Sequence, residues 1–270
     1  MPLLHIVILA LVQGVTEFLP ISSSGHLVLV PWLAGWPDQG LILDVAVHVG
    51  TLGAVMAYLW RDIAAMLGGL WRFAKGRGMN DGVRLAFFLV LGTLPVIAAG
   101  LAMKKYMPGG IRSIEVIGWA TLGFGVLLWL VDRFSVTLRR MEHLKLFDVI
   151  IIGVSQCLAL IPGTSRSGIT MTTARMLGME RRDCARFSML LSIPAIVGAG
   201  VLMGLELYKT GDPVQIDAAL AGVGFAFVSA LIAIALMMAW LKRASFTPFV
   251  IYRLALGGFL LAISYGYLPS

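Results

Sequence analysis

QGVTEFLPISSSGH at residues 13–26 and QCLALIPGTSRSG at 156–168 decide how this chain folds. Each runs apolar residues into a proline, Pro20 or Pro162, and then into a hydroxyl-rich turn closed by Ser-Gly, with a one-residue offset between the copies. Glu17, His26, Arg166 and a row of hydroxyls stand here in otherwise greasy sequence. Such groups are costly at membrane depth and mark a functional site by default.

The surroundings are membrane sequence. Of the 270 residues 59% are hydrophobic and 13% charged, with mean hydropathy +0.91, whereas soluble domains carry roughly 25% charged residues. Apolar stretches at 45–60, 85–103, 116–131, 187–205, 218–241 and 249–265 each approach the ~20 residues a crossing helix needs. Alternating barrel-type strands are absent, so the expected class is all-α and polytopic. Cys157 and Cys184 lack metal-ligand spacing and read as small hydrophobes. No signal peptide stands out at the N-terminus. The net charge of +7 raises nucleic acid as a partner, but the charges are placed as membrane topology places them.

The likeness of the two segments extends to the sequence after each of them. Each precedes a short loop (Trp36-Pro37-Asp38 or Gly178-Met179-Glu180) and three apolar spans, giving one membrane domain of two repeats, about 1–140 and 141–270. Lys and Arg test whether the polar segments cross or turn back. If both are re-entrant, sixteen basic residues fall on one face, Arg175 and Arg253 among them. Four fall on the other (Lys104, Lys105, Arg112 and Lys209), and Arg166 stays in the site. If each segment crosses, the split becomes ten to ten. The charge count therefore selects the re-entrant arrangement. Three crossings per half invert the second half relative to the first, put both termini outside, and bring the hairpin tips together near the midplane. Backbone of that kind is tolerated only where it is buried in protein or lines a watery cavity.

Glu17 lies four residues after Gln13, on the same helical face. Pro20 is expected to end that helix, with a new one beginning near His26. Ser22, Ser23 and Ser24 before Gly25 form a turn that feeds a helix N-terminus, a natural anion site. Gly163, Thr164, Ser165, Ser167 and Gly168 repeat the design, and Arg166 adds a guanidinium suited to phosphate. The ligand read from these parts is a phosphate or pyrophosphate. Glu17 can hold a divalent cation with Gln13 as neutral oxygen ligand, His26 can move protons, and a serine can attack. Each has a plainer reading. Glu17 pairs with Arg166, the serines cap helices, and His26 is structural. His48 and Asp44 read as a cross-bundle hydrogen bond and a cap, and the methionines at 171, 176, 179 and 189 as packing or lipid contact.

At these residues the sequence resembles the bacterial undecaprenyl-pyrophosphate phosphatase family, also known for bacitracin resistance. Residues 13–26 and 162–170 carry the motifs, and length and span pattern extend the resemblance over essentially the whole chain. The resemblance implies hydrolysis of undecaprenyl pyrophosphate to the monophosphate carrier lipid plus phosphate, for cell-wall synthesis. It further implies a site open to the outer side of the inner membrane and a divalent cation such as Mg2+ or Ca2+. By position Glu17 matches the essential glutamate, Ser23 the proposed nucleophile, His26 the histidine beside it, and Arg166 the diphosphate-binding arginine. Gln13 stands where some members have Glu, which removes one anionic metal ligand. The rival reading is a flippase for a polyprenyl phosphate lipid. A homodimer is left open.

Overall fold

A computed structural model describes residues 2–36, 40–107, 113–210 and 213–267. The expected loop residues Pro37 and Asp38, and Arg112 of the charge count, lie outside the described residues. Among those described, the chain is helical throughout: α1 Leu3–Thr16, α2 Ser23–Ala34, α3 Gly40–Tyr58, α4 Trp60–Ala74, α5 Asp81–Tyr106, α6 Ile114–Phe134, α7 Leu146–Ser155, α8 Arg166–Met176, α9 Arg181–Thr210, α10 Pro213–Trp240 and α11 Thr247–Ser264. The chain is an all-α polytopic membrane protein.

The spans sit where apolar sequence is uninterrupted. Stretches 81–106, 114–134, 219–240 and 247–264 are long and apolar enough to cross, and α3 with α4 forms a fifth candidate broken by an 80° bend. At 30 residues α9 also has the length. Outward faces are greasy, as lipid requires: Phe87, Trp119, Leu220, Leu236 and Ile251 are exposed. Met171, Met179 and Met189 are fully buried, whereas Met176 is exposed. Cys157 and Cys184 are free thiols.

The short helices are those the polar segments interrupt, and they pack crosswise. α1 lies against α10, while α7 lies against α5. Both contacts close on glycine. A Cβ on Gly14 would stand 2.7 Å from Ala226 O, and one on Gly153 would stand 2.5 Å from Gly92 O. Such approaches are how membrane helices replace the missing hydrophobic drive with dispersion. Each broken helix is thus seated against a span from the far half of the chain.

Two features depart from the sequence expectation. Residues 60–74, which adjoin the expected span 45–60 and carry no expected element of their own, form an amphipathic helix. Trp60, Leu67, Trp71 and Phe73 are exposed on α4, and Lys75 and Arg61 lie over the Trp71 and Trp60 rings. That pattern suits a helix lying in the interface rather than spanning. Asp62 of α4 is paired with Arg186 of α9. Second, Arg175 and Arg253, both assigned to the basic face, are buried at 2% and 0% exposure. Near a helix end, as Arg175 is in α8, or in the second turn of one, as Arg253 is in α11, an arginine that faces inward cannot be told by sequence from one that snorkels out.

Arg175 is buried with a partner. Asp132 Oδ1 accepts from Arg175 Nε at 3.2 Å and Arg181 Nε at 2.7 Å, and Oδ2 accepts from the Phe246 N–H at 3.0 Å. One carboxylate thereby joins α6, α8, α9 and the start of α11. Asp132→Ala, by leaving a buried guanidinium unpaired, is expected to cost about 3–5 kcal/mol. Thermal unfolding of the purified protein in detergent reads this as a clear fall in midpoint.

Candidate active site

The two polar segments meet. α1 ends at Thr16 and α2 opens at Ser23, and the turn between them holds Pro20. The first helix thus stops four residues before the proline expected to end it, and the second starts three residues before His26. In the other copy, α7 runs through a 3-10 stretch, Gln156–Leu160, into the turn before α8. At both helix starts the capping residue adopts a positive φ, 75° at Ser22 and 69° at Ser165, the two non-glycine residues to do so among those described. Ser23 and Arg166 are consequently the first residues of α2 and α8. They are geometric counterparts with different chemistry.

Both bind one carboxylate. Glu17 is 7% exposed. Its Oε2 accepts from Gln13 Nε2 at 2.8 Å and from Ser23 Oγ at 2.8 Å, and its Oε1 accepts from Arg166 Nη2 at 2.7 Å. The plainer reading of Glu17, a partner for Arg166, is thus what the geometry shows, and the same contact builds the constellation. His48 reaches the cluster from α3, its Nε2 3.6 Å from Glu17 Oε2 and its Nδ1 bonded to Asp44 O. Asp44 lies within α3. The carboxylate therefore faces a serine, an amide, a guanidinium and an imidazole, and such concentration of polar partners is what a buried charge requires.

The remaining hydroxyls divide between site and scaffold. Ser24 is exposed and Ser23 half-buried, with Ser24 Oγ 3.3 Å from Ser22 Oγ. In the second turn Ser165 Oγ caps the Gly168 N–H at 3.0 Å and lies 3.1 Å from Ser167 Oγ, which donates to Leu19 O at 2.8 Å. Thr164 Oγ1 is buried without a hydrogen-bond partner among the described residues. Gly163 has φ 94°, and a Cβ there would stand 2.4 Å from Ile117 O. Both facts require glycine. Ser165, Ser167, Gly163 and Gly168, expected around substrate, shape the turn that aims Arg166.

His26 is placed differently from the expectation that it serves Ser23. Its Nδ1 lies 2.7 Å from Ser22 O and its Nε2 2.5 Å from Tyr252 Oη. Sequence reading gave Tyr252 no role and set Arg253 on the basic face, whereas His48, read as a contact across the bundle, does approach Glu17. Arg253 is the most consequential. Nε donates to Thr121 O at 3.0 Å, Nη1 to Pro20 O at 3.3 Å, and Nη2 to Gly163 O and Thr164 O at 3.0 and 2.9 Å. It ties carbonyls of both turns to α11 and α6. A charged residue inside an apolar span was the one sequence signal available.

A divalent cation can be tested against these donors. Among the described residues no three His, Cys, Asp or Glu side chains cluster as a metal site. The buried Gln13 Oε1, however, lacks a hydrogen-bond partner beside the Glu17 carboxylate. One carboxylate and one unspent amide oxygen fit a hard cation whose other oxygens come from ligand and water.

The fold and site together define a helical membrane protein that holds a serine and an anion-binding guanidinium on one buried carboxylate. Residues 6–259 match the family described as Bacitracin resistance protein BacA, and the chain belongs to that family. It is 54% identical to Undecaprenyl-diphosphatase 1 of Rhodospirillum rubrum, over 98% of this chain and 96% of that one. It is 52% identical to Undecaprenyl-diphosphatase of Ruegeria pomeroyi, over 98% and 100%, and 51% identical to that of Hahella chejuensis, over 97% and 98%.

Arg253→Met strips donors from carbonyls of both turns. A loss of at least about 2 kcal/mol in stability is expected, seen as a lowered unfolding midpoint. Arg253→Lys should recover part of it, because one ammonium cannot reach every carbonyl the fork does.

Proposed function

We propose that this chain is a membrane phosphatase that hydrolyses undecaprenyl pyrophosphate to undecaprenyl phosphate and inorganic phosphate, recycling the carrier lipid for cell-wall synthesis. The observation that carries the reading is Glu17, which accepts from Ser23 Oγ on one oxygen and from Arg166 on the other. The relatives' shared name, undecaprenyl-diphosphatase, supports the same substrate. A flippase requires groups that bind a lipid phosphate but no hydroxyl poised on a carboxylate.

Arg166 spends one nitrogen on Glu17 among the described contacts. An incoming diphosphate, with more charge and more acceptors, takes over the fork in bidentate fashion. Glu17 keeps its bond from Ser23 Oγ as Arg166 moves to the substrate, so substrate binding and delivery of the hydroxyl are coupled. Ser23 Oγ attacks the terminal phosphorus, its proton passes to Glu17, and undecaprenyl phosphate leaves. Water cleaves the phosphoserine, and Arg166 and the turn N–H groups balance charge on the transferring group. Gln13 and Glu17 would hold a divalent cation, Mg2+ or Ca2+, which when bound supplies further neutralisation of the diphosphate. Gly25, Leu29, Trp32, Ile117 and Leu260 line an apolar crevice beside the first turn and offer the start of the polyprenyl tail a matching surface. The balance of basic residues supports both termini outside the inner membrane, and the family resemblance supports a site open to that outer side. The reading requires no nucleic acid, and the site is complete within one chain whether or not it forms a homodimer.

Phosphate release from undecaprenyl pyrophosphate by purified protein in detergent tests the reading, since translocation needs an intact bilayer. Glu17→Gln is expected to lower kcat about 10²–10⁴-fold, and Arg166→Lys about 10²–10³-fold. Ser23→Ala should abolish burst-phase phosphoenzyme along with turnover. Undiminished release by Ser23→Ala would remove the covalent step, and no release by the unaltered protein would remove the whole assignment. Chelation should suppress release, with Mg2+ or Ca2+ restoring it. Gln13→Leu should raise the cation concentration needed for half-maximal rate.

A further inference from the structure

His26 stands three residues beyond Ser23 on α2, yet both its ring nitrogens are engaged elsewhere. Ser22 O can only accept, so Nδ1 carries the proton in that 2.7 Å contact, and a neutral ring then presents the Nε2 lone pair to the Tyr252 hydroxyl 2.5 Å away. The two rings are within 9° of parallel, with centroids 5.6 Å apart, and the phenol oxygen stands within hydrogen-bond distance of Nε2. Ser23 Oγ meanwhile donates to Glu17. The proton of the attacking hydroxyl has a direct route to a carboxylate and none through this imidazole.

The two turns differ in how they hold the same strained residue. Ser22 and Ser165 both sit at positive φ, a conformation that costs a non-glycine residue about 1–3 kcal/mol and persists only when its surroundings over-determine it. Ser165 is fixed locally. Its Oγ caps the Gly168 N–H and its carbonyl accepts from the Ile169 N–H at 2.9 Å. Ser22 makes no side-chain cap, and an imidazole bonds its carbonyl instead. Because C=O and N–H of a trans peptide point in opposite directions, gripping Ser22 O also orients the peptide that delivers Ser23. Tyr252 precedes Arg253, which itself donates to Pro20 O in the same turn. Consecutive residues of α11 thereby hold this turn from two sides.

We propose that Tyr252 and His26 are positioning residues for the reaction. The phenol fixes the imidazole, and the imidazole N–H holds the Ser22 peptide so that Ser23 meets Glu17. The proposal rests on Ser23 as the attacking hydroxyl, and it removes His26 from the proton path.

Two substitutions at one position separate positioning from proton transfer. Asn places an amide N–H near where Nδ1–H stands, and Gln places one near Nε2. His26→Asn should keep kcat within about tenfold of the unaltered protein, while His26→Gln should fall about 10²-fold or more, both with KM changed little. Tyr252→Phe should lower kcat about tenfold, again with KM nearly constant. Equal losses of about 10²–10⁴-fold for Asn and Gln would be those of a lost acid or base and would overturn the proposal, as would full activity of Tyr252→Phe. A readout independent of turnover is 15N-histidine NMR in detergent. The signal absent from His26→Asn should report Nδ1 protonated and Nε2 accepting a hydrogen bond, and the latter signature should vanish in Tyr252→Phe. An Nε2-protonated, Nδ1-bare ring would sink the proposal even if a variant folds poorly. If the unaltered protein released no phosphate the functional reading would fall, and the NMR signature would still decide the hydrogen-bond relay.

Discussion

A helix broken inside a membrane leaves carbonyls with no water to satisfy them, and this chain breaks two helices at one place. Arg253 answers that constraint. Its guanidinium is fully buried and donates to Pro20, Gly163, Thr164 and Thr121, all backbone carbonyls from the two turns and α6. The number and fan of its donors let one side chain serve three segments. It also sets their separation. Leu19 O, bonded by Ser167 Oγ, stitches the same turns a second time. With the backbone geometry fixed in this way, Ser23 and Arg166 can reach a common carboxylate without moving.

Charge balance depends on the same arrangement. Glu17 is the carboxylate where the turns converge, and Arg166 bonds it directly. A buried pair of this kind contributes little net stability once desolvation is counted. Its value lies in being exchangeable. In the proposed reaction the guanidinium passes to the diphosphate, and the carboxylate it leaves is already bonded to Ser23. The stable ion pairs lie away from this centre, where Asp132 binds Arg175 and Arg181 and Asp148 binds Arg139.

Much of this could be read from the sequence because apolar runs and proline-serine turns are local signals. The spans near 85–103, 116–131, 218–241 and 249–265 match helices of crossing length, and Glu17, Ser23 and Arg166 do assemble. What escaped depends on tertiary contact. Tyr252 lies 226 residues from His26, and nothing in the local pattern around Phe249 or Arg253 distinguishes an inward from an outward side chain. Helix α4 escaped for a different reason. Its apolar residues continue the preceding span in composition, and the 80° bend at Leu59 is announced by neither proline nor glycine. For His26 the sequence left a proton carrier and a structural group both open, because its partners Ser22 O and Tyr252 Oη are set by the folded turn and by a helix far along the chain.

Ser23 and Arg166 occupy the same place on two similarly built turns, each preceded by a serine at positive φ. Matching the halves perfectly would set two hydroxyls or two guanidiniums against Glu17, and neither pair could both attack and neutralise. The duplicated architecture therefore yields a working centre only because its copies have ceased to be alike there, as they have at Glu17 and His26, which stand opposite Leu160 and Ile169. This gives the centre a polarity that the backbone lacks. An anion can be drawn toward one turn and attacked from the other, so a nearly twofold frame handles its ligand in one direction.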